Sequence, residues 1–270
     1  MPEGPEIRRA ADQLALAVVG QPLLRAWFAF PALKPFEASL PGATICSILP
    51  HGKALLTRFD SGWTLYSHNQ LYGVWQVVGS GERPATTRSL RVALETRERA
   101  ILLYSASDVA MWRDEDLVRH PFLSKLGPDV LDESLGAAAV AKRLQQAAFS
   151  GRALSALLLD QGFLAGMGNY LRSEVLFKAA IAPQRTPADL SPAERRRLAK
   201  ALLDVPRASY GTRGIVPSTG MRAEYLTDTP EGFEFKVFDR AGLPCPQCSK
   251  RIVRIESGGR RLYLCKHCQQ

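Results

Sequence analysis

Long apolar runs, acidic residues and cysteines are all scarce in this chain, and each shortage narrows what it can be. No uninterrupted apolar stretch approaches the roughly 18 residues that would suggest a membrane span, so no membrane partner is expected. The opening Met1-Pro2-Glu3-Gly4-Pro5-Glu6 carries two acids where a secretory leader has positive charge, which predicts a cytoplasmic protein. Asp and Glu total 26 against 35 Lys and Arg in 270 residues, a formal net charge of +9, with a pI near 9.5. That excess favours a polyanionic partner, nucleic acid above all. Neither an internal repeat nor a low-complexity tract is present, and a hydrophobic share of 46% gives ample material to bury. The length suits two ordinary domains with a small stapled module.

The pattern along the chain changes twice. Ile7, Ala10, Ala11, Leu14 and Val18 recur at helical spacing and Gly20 ends the series. From Ala26 to about Tyr104, short β-type runs such as Val74-Trp75-Gln76-Val77-Val78 and Ile101-Leu102-Leu103-Tyr104 alternate with Gly, Pro and Asp turns, which predicts a mostly antiparallel β domain. Between Asp129 and Val205 the apolar positions turn helical, over Ala137–Phe149, Ala153–Gln161, Tyr170–Ala179 and Ser191–Val205. Ser191 as N-cap, Pro192 at the first position and Glu194 completing a capping box mark the last start. The consecutive Arg195, Arg196 and Arg197 point in different directions, so they divide between solvent and phosphate. The stretch 213–232 has no periodicity and reads as a long connection or loop.

Four of the five cysteines fall in the last 26 residues: Cys245-Pro-Gln-Cys248, 16 residues, then Cys265-Lys-His-Cys268. The spacing is that of a four-thiolate tetrahedral zinc site. Two apolar runs flanking Ser257-Gly258-Gly259-Arg260 predict a β-hairpin held by that metal. Four thiolates leave no open position, so the single zinc is structural. His267 lies inside the second pair and competes as a ligand, less well placed than the outer cysteines. Arg254, Arg260 and Arg261 near the hairpin tip read either as phosphate contacts or as ordinary surface charge. Cys46 reads as a buried small hydrophobe.

Three segments occur in a set order: Met1-Pro2-Glu3-Gly4-Pro5-Glu6-Ile7, then Phe163-Leu164-Ala165-Gly166-Met167-Gly168-Asn169-Tyr170-Leu171-Arg172, then the cysteine finger. Together they resemble the formamidopyrimidine-DNA glycosylase and endonuclease VIII family over essentially the whole chain. The run Tyr66-Ser67-His68-Asn69-Gln70-Leu71-Tyr72-Gly73-Val74-Trp75 is similar to the bacterial endonuclease VIII branch. The resemblance implies a multidomain α+β chain: an N-terminal β-sandwich with a leading helix (1–125), a helix-two-turn-helix domain (126–213), a connection (214–235) and a zinc β-hairpin finger (236–270). It implies a monomer that binds double-stranded DNA carrying a damaged base or abasic site, removes oxidised pyrimidines and cleaves the strand by β,δ-elimination. The same fold acting on oxidised purines, and a non-catalytic zinc-finger protein that binds damaged DNA, stand as alternatives.

The chemistry follows from the residues. With Met1 removed, Pro2 offers a secondary amine, and an α-amino pKa of about 7.7–8.0 leaves roughly a fifth of it free near neutral pH. Attack at the sugar carbon expels the base and leaves an iminium ion, an electron sink that permits loss of the 3′ phosphate. By resemblance, Glu3 is the proton carrier, Lys53 the donor for β-elimination, and Arg260 the finger cation at the leaving phosphate. Glu6 reads either as helix capping or as support for Pro2. Gln70, Leu71 and Tyr72 resemble the side chains that fill the gap left by an extruded nucleotide, with core or turn residues the competing reading of Leu71 and Tyr72. Asn169 begins a helix and offers its amide and the helix N-terminus to a phosphate, or else a plain N-cap. Lys125 stands where this branch is expected to carry arginine, so phosphate attraction survives but bidentate geometry does not.

Overall fold

A computed structural model describes residues 2–212, 214–216 and 231–270, so the 213–232 connection lies largely outside the described residues. The chain divides into two units: residues up to Pro2 with Glu6–Ser124, and Glu3–Pro5 with Lys125–Gln270.

In the first unit α1 (Gly4–Val18) is set by the predicted stripe, with Ile7, Ala11, Leu14 and Val18 all buried. Gly20, at φ +78°, supplies the left-handed exit that other residues resist. β1 (Arg25–Phe28) is followed by the short α2 (Phe36–Ser39) and by β2 (Ile45–His51), β3 (Ala54–Phe59), β4 (Trp63–His68), β5 (Val74–Gly79), β6 (Leu90–Glu95), β7 (Arg99–Tyr104) and β8 (Asp108–Arg113). They form two four-stranded antiparallel sheets, ordered β1-β6-β7-β5 and β2-β3-β4-β8. Phe28, Leu94, Ile101 and Leu103 of one sheet join Ile45, Leu55, Phe59 and Leu65 of the other, and Leu14 of α1, in a single core. This is the expected β-sandwich. The unbroken apolar run in β7 has a reason: Ile101 and Leu103 face that core while Ala100, Leu102 and Tyr104 are buried on the opposite face with Ala93. Cys46 departs from expectation. It points out of β2 and is exposed, because its neighbour Ile45 takes the inward position of the pleat.

In the second unit the predicted helices are shorter or divided. Ala137–Phe149 splits into α3 (Ala137–Leu144) and α4 (Ala147–Ser150), separated where Gln146 turns extended. Ala153–Gln161 contracts to α5 (Leu154–Leu157), and Asp160 accepts the Gly162 N–H at 2.8 Å in a local turn that competes with the helix. α6 (Asn169–Ala179) keeps its predicted end. α7 (Pro192–Gly211) starts at the predicted capping box and continues through Pro206, which is buried with Val205 and Ser209 on the core side. Two of its three tandem arginines meet carbonyls: Arg195 that of Leu190 at 3.0 Å, and Arg197 that of Ala179 at 2.6 Å.

β9 (Val253–Ser257) and β10 (Arg260–Leu264) pair as the expected hairpin, turned by Gly258 and Gly259 at φ +60° and +70°. The finger is no separate appendage, since Cys245, Ile252, Leu262, Tyr263 and Cys265 share one core with α6 and α7. None of the described helices is long and apolar enough to cross a membrane.

Candidate active site and zinc centre

The second unit gathers Glu3–Pro5 of the N-terminal motif, the start of α6 and the finger. Gly166 adopts φ +90°, and its carbonyl accepts the Gly4 N–H at 2.8 Å, so two backbones approach where a side chain at Gly4 would sit 3.1 Å from Gly166 Cα. Glu3 follows from that approach. Its buried carboxylate accepts the N–H of Tyr170 through Oε1 at 2.8 Å and that of Leu171 through Oε2 at 3.2 Å. These amides belong to the first turn of α6, where no preceding helical turn supplies an acceptor and the N-cap Gly168 has no side chain to offer. A Cβ at Gly168 would overlap the Glu3 carboxyl group. The two N–H donors of the helix end fix the position of the carboxylate. Pro2, one peptide bond away, is buried.

This arrangement corrects the reading of Asn169 as an N-cap, a place that Gly168 takes. The first-turn amides of Tyr170 and Leu171 already serve Glu3, and Asn169 is the first residue of α6 rather than its cap. Its Nδ2 donates to the Arg261 carbonyl at 2.8 Å and its Oδ1 accepts from Arg172 at 2.6 Å. Arg172, which the sequence reading passed over, is fully buried. It also donates to the carbonyls of Ser155 at 2.8 Å and Arg261 at 3.2 Å, tying α6 to the finger strand that carries Arg260. Burial pulls its guanidinium down to about 10, with the Glu3 charge opposing and the Arg260 charge assisting. Arg260 itself is exposed at the start of β10. Glu174, also unforeseen, is buried and accepts the N–H groups of Lys236, Val237 and Phe238, anchoring the chain that leads into the finger. A buried Arg and a buried Glu inside a helix read in sequence as a solvated face, so only the three-dimensional packing reveals them.

The four predicted ligands Cys245, Cys248, Cys265 and Cys268 bring their sulfurs within 4.8 Å of one another. The Cys245–Cys268 and Cys248–Cys265 separations are 3.8 and 3.5 Å. A tetrahedron with metal–sulfur bonds of about 2.3 Å has edges of about 3.8 Å, so the set fits one structural zinc. Those separations are far too long for disulfides.

In the first unit, Lys53 is buried in the turn between β2 and β3, near enough to His68 for its charge to be felt there. Gln70, Leu71 and Tyr72 lie on the loop between β4 and β5, Leu71 43% and Tyr72 58% exposed, which removes the reading of them as core. Glu6 pairs with Arg9 at 2.8 Å within α1. Lys125 is exposed at the start of the second unit.

Known proteins match throughout. The formamidopyrimidine-DNA glycosylase N-terminal domain model matches residues 1–107, the formamidopyrimidine-DNA glycosylase H2TH domain model residues 126–215, and the zinc finger found in FPG and IleRS residues 242–270. A protein named Endonuclease 8 from Pectobacterium carotovorum is 54% identical over 270 residues, covering all of both chains, and one from Escherichia coli is 51% identical over 269. Among solved structures, the Lactococcus lactis Fpg bound to DNA containing N7-benzyl-Fapy-dG superposes with a TM-score of 0.84 at 21% identity over the whole of both chains. Its complex with DNA containing an abasic site gives 0.84 at 20%, covering 99% of each. At such identities the likeness is one of fold.

Proposed function

Since the chain belongs to the formamidopyrimidine-DNA glycosylase and endonuclease VIII family, we propose that it excises oxidised pyrimidines from double-stranded DNA and then cleaves the strand, as a monomer acting in the cytoplasm on nucleoid DNA. The observation that carries this reading is the Glu3 carboxylate, fixed by two helix-end amides one residue from Pro2.

With Met1 removed, the Pro2 ammonium gives a proton to Glu3 and becomes a free secondary amine. The amine attacks the sugar carbon that bears the base, the C–N bond to the base breaks and Glu3 returns its proton to the departing base. The bound Pro2 nitrogen then gives up its remaining proton, carried by Glu3 to the sugar ring oxygen, as the bond from that oxygen to the same carbon breaks and the ring opens. The resulting iminium acidifies the adjacent carbon, whose proton is lost as the 3′ phosphate departs, and a second elimination releases the 5′ phosphate. Lys53 serves proton transfer in the first elimination and Arg260 stabilises leaving phosphate charge. Asn169, at the start of α6, meets a backbone phosphate while its side chain holds the finger strand. Lys125 attracts backbone phosphate, and Gln70, Leu71 and Tyr72 fill the gap left by the extruded nucleotide. The zinc holds the finger together and takes no part in bond making.

Excision measured side by side on thymine glycol and 8-oxoguanine duplexes tests the lesion class. Faster removal of the pyrimidine is expected; a strong preference for the purine would place the activity in the other branch of the family.

A further inference from the structure

The loop of Gln70, Leu71 and Tyr72 is braced from beneath. Gln70 takes a left-handed φ of +49°, costly for a residue other than glycine. Three contacts hold that shape. The Gln70 N–H donates to Nδ1 of His68 at 2.9 Å, the Ser107 hydroxyl donates to Gln70 Oε1 at 2.7 Å, and the Gly73 N–H closes the turn on the Asn69 carbonyl at 2.7 Å. His68 is the last residue of β4, paired in register with Ala54 on one side and Asp108 on the other, which sets it next to Lys53. Its ring meets Phe122 edge to face at 5.5 Å. The charged and titratable groups around it are Asp108 of β8, Lys53 of the β2–β3 turn, and Tyr66 and His120, which surround Asp108. Burial lowers the pKa of the imidazole, against the Asp108 charge and with the Lys53 charge. The Gln70 N–H directed at Nδ1 marks that nitrogen as the acceptor the ring gives the loop.

We propose that His68 is a positioning residue for lesion engagement, whose Nδ1 acceptor fixes the left-handed turn at Gln70 and so presents Leu71 and Tyr72 to the duplex. The proposal rests on the reading of Gln70, Leu71 and Tyr72 as the gap-filling side chains. One backbone hydrogen bond supports an effect of roughly five- to tenfold. An asparagine at this position puts its side-chain oxygen near Nδ1 and preserves the acceptor; leucine has the bulk without it.

The test uses the full-length zinc protein and duplexes with 2-aminopurine opposite a tetrahydrofuran abasic analogue, whose fluorescence reports insertion, together with steady-state excision of thymine glycol. In His68→Leu the insertion signal is expected to weaken roughly fivefold or more and KM to rise by a like factor, with kcat within about twofold. In His68→Asn both should stay within about twofold of the parent. Wild-type insertion by His68→Leu, or equal failure of His68→Asn, overturns the proposal. Should His68→Leu not fold, His68→Gln replaces it, its oxygen reaching the Nε2 side instead; full insertion there overturns the proposal as well. Leu71→Ala separates the premise: an unchanged signal overturns the gap-filling reading and this proposal with it. A signal lost in Leu71→Ala but kept in His68→Leu condemns His68 alone.

Discussion

Gly168 fixes where the Glu3 carboxylate can sit. Any Cβ there overlaps the carboxyl group, and Glu3 can yield only by leaving the two amides of α6 that hold it. Gly168→Ala should therefore keep its zinc and its helical content while single-turnover base excision falls about 100-fold or more, the scale of a misplaced proton carrier. Unaltered excision would mean that Glu3 works from another position. Pro2 and Glu3 were legible as a motif, and the Gly166-Met167-Gly168-Asn169 segment as its companion. What the motif could not convey is that the first is pinned by the second. Asn169 and Arg172 show the limit on the polar side, since nothing in a helical pattern announces a buried guanidinium bonded to a finger carbonyl. Cys46 shows it on the apolar side: a residue type usually buried stands outward because Ile45 takes the core.

At the scale of elements, the capping box of α7 was readable outright, and its electrostatics yield a pH signature. Arg185 and then Ser191 hold the Glu194 carboxyl down to about 2 from its ordinary 4.5. The unfolded chain takes up this proton at higher pH than the folded one, so the stabilisation is complete above about 4.5 and fades as pH falls towards 2. In thermal melts Glu194→Gln should be less stable than the parent at pH 7, with the difference closing between pH 4.5 and 2. A difference that persists at the acid end would assign the effect to packing. The finger makes the second prediction. Cys245 and Cys265 belong to the core shared with α6 and α7, so chelation should melt the hairpin and lower the melting temperature of the helical unit too. Protein stripped of measured zinc that melts as before would refute the shared core. Helix boundaries were the poorest reading of the sequence. The breaks at Gln146 and Asp160 come from local turns that an apolar period does not register.

Across the whole molecule, the antiparallel β domain, the helical region and the finger all followed from changes of period and from cysteine spacing, because each of those signals is local, while the sandwich was implied by the family resemblance. The grouping of finger and helices around one core did not follow, because it depends on contacts between residues far apart in sequence, such as Glu174 with the chain at 236–238. The grouping of Glu3–Pro5 with the second unit was hidden for the same reason. It also explains why the N-terminal motif and the α6 segment occur together: each completes the other's hydrogen bonds. Both base removal and strand cleavage depend on the amine of Pro2. The most direct measurement is borohydride trapping on thymine glycol duplexes, using mature protein, Pro2→Gly, and protein retaining Met1, with the N-termini checked by mass spectrometry. A covalent protein–DNA adduct from the mature chain, strongly reduced in both controls, is the predicted result. Strand cleavage without an adduct from the processed chain, or an undiminished adduct when Met1 is retained, would contradict it.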